Sequence, residues 1–209
     1  MKTLRQIGSV KNKTVLVRSD LNVPIEDGKV RDSFRIEKAL NSISFLLKKG
    51  AKVIVVSHIG EGKNDTLLPV FFHLKKKKVP CVFLDSYNKD AIEKALGSLK
   101  KGQFLLLENL RHNAGEKEND QNFAKLLASF ADVYVNDAFS VSHREHASIV
   151  SVPKYLPSYA GLQMTEEIKN LSLALVPPHP FVFVLGGAKI STKLPLITRY
   201  FKSADEVFV

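Results

Sequence analysis

The stretch Val15-Leu-Val-Arg-Ser-Asp-Leu-Asn-Val-Pro24 constrains the fold more than any other part of the chain. Val15, Leu16 and Val17 are consecutively apolar, which is the pattern of a strand covered on both faces. Pro24 cannot donate to a ladder, so the strand must end before it. Between them, Arg18, Asp20 and Asn22 place a cation, a carboxylate and an amide at the carboxyl end of the strand. Open α/β sheets hold their ligands at such an end.

The pattern recurs. Further strands are expected at 52–57, 81–84, 103–107 and 133–135. Helical spacing lies between them. Ile36, Ala39, Leu40, Ile43, Leu46 and Leu47 fall on one face of a helix over about 34–49, with Asp32 or Ser33 as its cap. Other helices are expected over 66–78, over 90–99 and from Asn119 or Asp120 onward. Apolar strands alternating with amphipathic helices imply a parallel sheet with helices on both faces, Rossmann-like. Pro153, Pro157 and Gly161 have the composition of a boundary. The expected organisation is an α/β domain over 1–160, a linking helix and hinge over 161–176, and the first strands and helix of a second α/β domain over 177–209. A second domain of that length buries too little to stand alone, so the sequence reads as a fragment.

Composition narrows the classes. Cys81 is the single cysteine, so no intrachain disulfide can form, and a cytoplasmic location is the default. No apolar run approaches the ~20 residues of a membrane span. The formal charge of +10 invites an anionic partner. Lys75–Lys78 is the dense basic run, but it sits at an expected helix end and no aromatic residues alternate with it. A solvated terminus and a small anionic substrate therefore account for the charge better than nucleic acid does.

Each strand end carries polar groups. After the second come Ser57 and His58; after the fourth, Glu108, Asn109 and Arg111; after the fifth, Asn136, Asp137, His143, Arg144 and His146. Arg35 opens the first long helix. An edge bearing Arg18, Arg35, Arg111 and Arg144 would bind a small dianion or trianion, since the guanidinium fork matches phosphate and carboxylate. Asp20 and Asp137 could equally neutralise these arginines, and His58 could be a satisfied core histidine. The His-x-x-His spacing at 143–146 is weak support for zinc, and no metal ligands are assigned. Gly186-Gly-Ala-Lys-Ile-Ser-Thr-Lys193 supplies glycines and two lysines before a helix, a plausible phosphate cradle that is not a Walker sequence.

These stretches together resemble phosphoglycerate kinase. The matching segments are Val17–Pro24, Gly50–Gly60, Leu107–Arg111, Asp132–Phe139, His143–Ser148 and Gly186–Lys189. The resemblance implies phosphoryl transfer between 1,3-bisphosphoglycerate and ADP, giving 3-phosphoglycerate and ATP in glycolysis, with Mg2+ accompanying the nucleotide. It implies substrate contacts from Asp20, Leu21, Asn22, Arg35, His58, Ile59, Gly60, Glu61, Arg111 and Arg144. Gly186, Gly187, Lys189 and Lys193 would hold the nucleotide, and Arg35 and Lys189 would act on the phosphoryl group in flight. It further implies a cytoplasmic monomer with no nucleic-acid or membrane partner. The family's loop after the second strand usually reads Ser-His-Leu-Gly-Arg-Pro, whereas Glu61 and Gly62 stand at the last two positions here. Either Glu61 points away and Lys63 supplies the cation, or phosphoglycerate is bound loosely; the flanking glycines favour the first. A non-catalytic phosphosugar-binding module is the alternative function.

Overall fold

Strand β1 (Thr14–Arg18) is buried from Val15 to Arg18, which requires cover on both faces. The computed structural model, which describes residues 1–62, 64–186 and 194–208, supplies that cover. The chain divides into two units, Met1–Glu167 and Ile168–Val209.

In the first unit, β1 is followed by a small hairpin, β2 (Ile25–Glu26) and β3 (Lys29–Val30). Its turn uses positive φ at Asp27 and Gly28, the geometry that matches the twist of paired strands. Then come α1 (Phe34–Lys48), β4 (Lys52–Val56), α2 (Leu68–Lys76), β5 (Cys81–Leu84), α3 (Lys89–Ser98) and β6 (Phe104–Leu107). The unit continues with α4 (Ala114–Lys117), α5 (Gln121–Ala128), β7 (Val133–Asn136) and β8 (Ser158–Ala160). The sheet order is β5-β6-β4-β1-β7-β8, and every pairing in it is parallel.

Successive side chains of each strand enter opposite cores. Val15, Val17, Val53 and Val55 pack with Ile36, Ile43 and Leu46 of α1 and with Val70 and Leu74 of α2. Leu16, Ile54, Val56 and Leu105 pack with Ile92 of α3 and with Phe123 and Leu127 of α5. Burying each large aliphatic side chain contributes about 1.5–3 kcal/mol, so both parities of the strand must be apolar. Helix starts follow the sequence cues with small shifts. Asp120 accepts the Phe123 N–H at 2.7 Å to open α5, and Asn88, rather than Asp90, caps α3 through the Ala91 N–H at 3.1 Å. Asp32 accepts the Phe34 N–H at 2.8 Å before α1.

The stretch with boundary composition also holds a strand. Between Pro157 and Gly161 lies β8, paired to β7 through Tyr134↔Ser158, Val135↔Tyr159 and Asn136↔Ala160. It is an edge strand of three residues, so flanking prolines cost it no ladder bond. Ala160 also bridges to Thr3, which ties down the irregular lead-in.

Winding reverses at β1, with β4, β6 and β5 on one side and β7 and β8 on the other. The crevice of such a sheet lies beyond the carboxyl ends of the strands at that reversal. Here those ends belong to β1, β4 and β7.

Helix α6 (Leu162–Leu175) carries the chain from the first unit into the second. The second unit contains β9 (Val182–Val184), α7 (Leu194–Tyr200) and β10 (Glu206–Phe208). β9 and β10 pair in parallel, and Tyr200 stacks on Phe183 with centroids 5.1 Å apart. Among the described residues, no helix is long and apolar enough to cross a membrane.

Candidate functional site

The first polar residue beyond the β1 core is not at the surface. Arg18 is fully buried, which corrects the expectation that it belongs to an open anion-binding edge. Its Nε donates to Ser148 Oγ at 3.0 Å, its Nη1 to the Ser19 carbonyl at 2.6 Å, and its Nη2 faces His58 Nδ1 at 3.1 Å. Ser148 Oγ in turn donates to Glu116 Oε1 at 2.6 Å, and the Ser148 N–H donates to Glu116 Oε2 at 3.0 Å. The buried arginine and the buried glutamate are thus joined through one serine. Sequence reading could not separate Arg18 from the other arginines, because a strand covered on both faces has no solvent-facing parity.

His58 is buried against this network. Desolvation, with Arg18, Arg111 and Arg144 nearby, pushes its pKa down to about 2. The ring is therefore neutral at ordinary pH. With Nδ1 accepting from the Arg18 guanidinium, the proton lies on Nε2.

Asp20 and Arg35 form one half of the exposed site. Arg35 Nη1 lies 2.6 Å from Asp20 Oδ2, and Ser140 Oγ donates to the same oxygen at 2.7 Å. The pair lines a cleft of about 440 Å³ with Phe34, Lys38, Asp137 and Gln163. Asp137 accepts the Met164 N–H at 3.1 Å at the start of α6, and burial raises its pKa to about 6. Gly161 permits this approach, since a Cβ there would lie 2.1 Å from Asp137 Oδ1.

The loop after β4 forms the other half. Asn22 Oδ1 accepts the Gly60 N–H at 3.0 Å, linking the loops after β1 and β4. Asn109, beyond β6, holds the Ile59 N–H at 3.2 Å and donates to the Ile59 carbonyl at 2.8 Å. Glu108 fastens the far end of the loop through the Leu67 N–H at 2.7 Å and the Thr66 hydroxyl. Gly60 has φ +57°, and a Cβ there would collide with the Asp65 carboxylate at 2.0 Å. Leu21 and Ile59, both expected as contact residues, lie on the loops after β1 and β4. Their side chains are in the core, and their amides are engaged by Ser57 and Asn109.

Glu61 does not point away, contrary to expectation. Its Oε1 lies 2.6 Å from Arg111 Nη1 and 3.7 Å from Arg144 Nη1, and its Oε2 lies 2.9 Å from Lys117 Nζ. Lys63, the expected substitute cation, lies outside the described residues. The hydrogen bond from Lys117, with Arg111 and Arg144 nearby, holds the Glu61 carboxyl below the usual carboxylate range. The Arg111 side chain is only 3% exposed and also donates to the Gly60 carbonyl. Its Nε and Nη2 meet no hydrogen-bond partner among the described residues. Lys117 escaped sequence reading because it stands in a run of charges, Glu116-Lys-Glu-Asn-Asp120, that reads as a solvated face. Its partner Glu61 is 56 residues away.

Of the expected nucleotide-binding set, Gly186 follows β9, while Gly187, Lys189 and Lys193 lie outside the described residues. Among the described residues, no three His, Cys, Asp or Glu side chains are grouped to hold a metal ion.

The strand ends thus carry two clusters of ion-paired cations, one at Arg35 and one around Glu61. The phosphoglycerate kinase family model matches residues 4–209. A phosphoglycerate kinase of Wolbachia from Drosophila simulans is 45% identical over 202 residues, covering 93% of this chain and 50% of its own length. One from Fervidobacterium nodosum is 43% identical over 216 residues, covering 99% of this chain and 53% of its own. Among solved structures, phosphoglycerate kinase from Pyrococcus horikoshii superposes with TM-score 0.84 at 33% identity, over 99% of this chain and 54% of that one. The Coxiella burnetii enzyme gives 0.81 at 35% identity, over 98% of this chain and 53% of that one. The chain thus spans about half the length of the relatives it matches.

Proposed function

Because this chain belongs to the phosphoglycerate kinase family, we propose that its first unit binds 3-phosphoglycerate and 1,3-bisphosphoglycerate on the carboxyl edge of the sheet. The observation carrying this reading is the gathering of Arg35, Arg111, Arg144 and Lys117 around the winding reversal at β1. Arg111, Lys117 and Arg144 would hold the 3-phosphate. Asp20 and Arg35 would face the reacting end, with Asp20 fixing the guanidinium. Asn22, His58 and Gly60 would shape the wall between them. Residues from Ile168 onward would begin the nucleotide half, with α6 as the link between the two.

The reaction is transfer of the acyl phosphoryl group to ADP. An oxygen of the nucleotide β-phosphate attacks phosphorus, the bond to the carboxylate oxygen breaks, and 3-phosphoglycerate leaves as a carboxylate. The nucleophile is already anionic and the leaving group is a weak base, so no proton has to move. Such a transfer asks for cations, alignment and exclusion of water. A site with several cations and a neutral, buried histidine meets that demand. The nucleotide would bring its Mg2+, and Gly186, Gly187, Lys189 and Lys193 would receive it. A cytoplasmic monomer acting in glycolysis is the setting this reading implies.

Calorimetric titration with 3-phosphoglycerate tests the reading. Arg35→Ala and Arg111→Met should each weaken binding by roughly tenfold or more, since each removes a charge-assisted contact. Arg35 is half exposed, so its variant should melt as the parent does. Unchanged affinity in both variants would remove the assignment.

A further inference from the structure

Glu61 has the contacts that a bound phosphate would have. Its two oxygens bridge Arg111, Lys117 and Arg144, which come from two stretches of the chain, 111–117 and the segment after β7. We propose that Glu61 is a tethered anion seated in the phosphate position among Arg111, Lys117 and Arg144, so that a phosphorylated ligand binds by displacing it. The proposal rests on the phosphoglycerate reading for the identity of the ligand, but not for the seat itself.

Three features support displacement. Glu61 is 60% exposed and is followed by Gly62, so the carboxylate can swing into water without unpacking a core. Arg111 keeps two buried donors, Nε and Nη2, that the carboxylate leaves unsatisfied. A phosphate has a third oxygen to offer them. A phosphate monoester also carries about −1.5 to −2 charge near neutral pH, against −1 for the glutamate, so it competes well for three cations. A ligand with only a carboxylate holds no such advantage. Glu61 therefore lowers affinity for all anions and selects for dianions among them. The loop after β4 bears both the obstacle and the Gly60 carbonyl that Arg111 holds, so displacement need not disturb the arginine.

The test compares the parent chain with Glu61→Gln, which keeps shape and removes charge, and with Glu61→Ala. Each is titrated with 3-phosphoglycerate and, separately, with inorganic sulfate as a dianion free of any glycerate contact. Both variants should bind both anions about tenfold more tightly than the parent, with a steeper fall as salt is added. Equal sulfate affinity in all three chains would overturn the proposal. Tighter sulfate binding in the variants, with no phosphoglycerate binding by any chain, would uphold the seat and remove the phosphoglycerate reading instead.

Discussion

Asp137→Asn should change the pH dependence of stability in a direction opposite to that of a salt-bridged carboxylate. Asp137 is 2% exposed, and burial raises its pKa from 3.8 to about 6. The N–H groups of Met164 and Gln163 at the start of α6 favour the ionised form but are outweighed by desolvation. The carboxyl therefore holds its proton more tightly in the folded chain than in the unfolded one. Its stabilising contribution is full below the unfolded value of 3.8 and is lost as pH rises through about 6. At about 1.4 kcal/mol per pH decade, the interval is worth about 3 kcal/mol, of which about half disappears between roughly pH 5 and pH 8. Asparagine keeps the oxygen that accepts the Met164 N–H and never ionises. The assay is urea unfolding followed by far-UV circular dichroism, since the chain has no tryptophan. Between those two pH values the parent should lose about 1–2 kcal/mol relative to the variant, because groups common to both chains cancel. Parallel stability curves would show that Asp137 is not a desolvated acid and would refute the argument.

Two further outcomes follow from buried groups. Arg18→Ala should destabilise by about 3–5 kcal/mol by stranding Glu116, and adding Glu116→Ala should cost much less than the sum of the single changes, as a double-mutant cycle of melts would report. Cys81, whose thiol burial pushes up to about 11, should react with a thiol reagent near neutral pH only as fast as the chain opens, so modification that outpaces unfolding would contradict its placement in β5.

Much of this was legible in the sequence for a physical reason. Val15–Val17, Val53–Val56 and Phe104–Leu107 are apolar at both parities because helices cover both faces, and that alone implies the parallel sheet. β8 was hidden because a three-residue edge strand buries too little to leave a pattern, while its prolines signal a break. At the site, the positions of the arginines along the chain were visible, but their accessibility was not, and Lys117 was missed altogether. Arg18 and Arg35 look alike until packing sends one inward. Glu61 looked misplaced among cations until its carboxylate proved to bridge Arg111, Lys117 and Arg144. Pairings such as Glu61 with Lys117 are set by where the loop after β4 meets α4, which no local spacing encodes.

The place of β1 in the middle of the sheet has a consequence for how the chain comes into being. Leu16 lies opposite Ile54 on one side and Tyr134 on the other. β1 thus gains its second neighbour only after more than a hundred further residues have been made. At about 5–20 residues per second of translation, that delay is on the order of ten seconds. Throughout it one edge of an apolar strand stands open, and closing so long a loop is slow even afterwards. The nascent strand is then open to pairing with a neighbour, and Arg18, still without Ser148, places a charge on it that opposes such pairing.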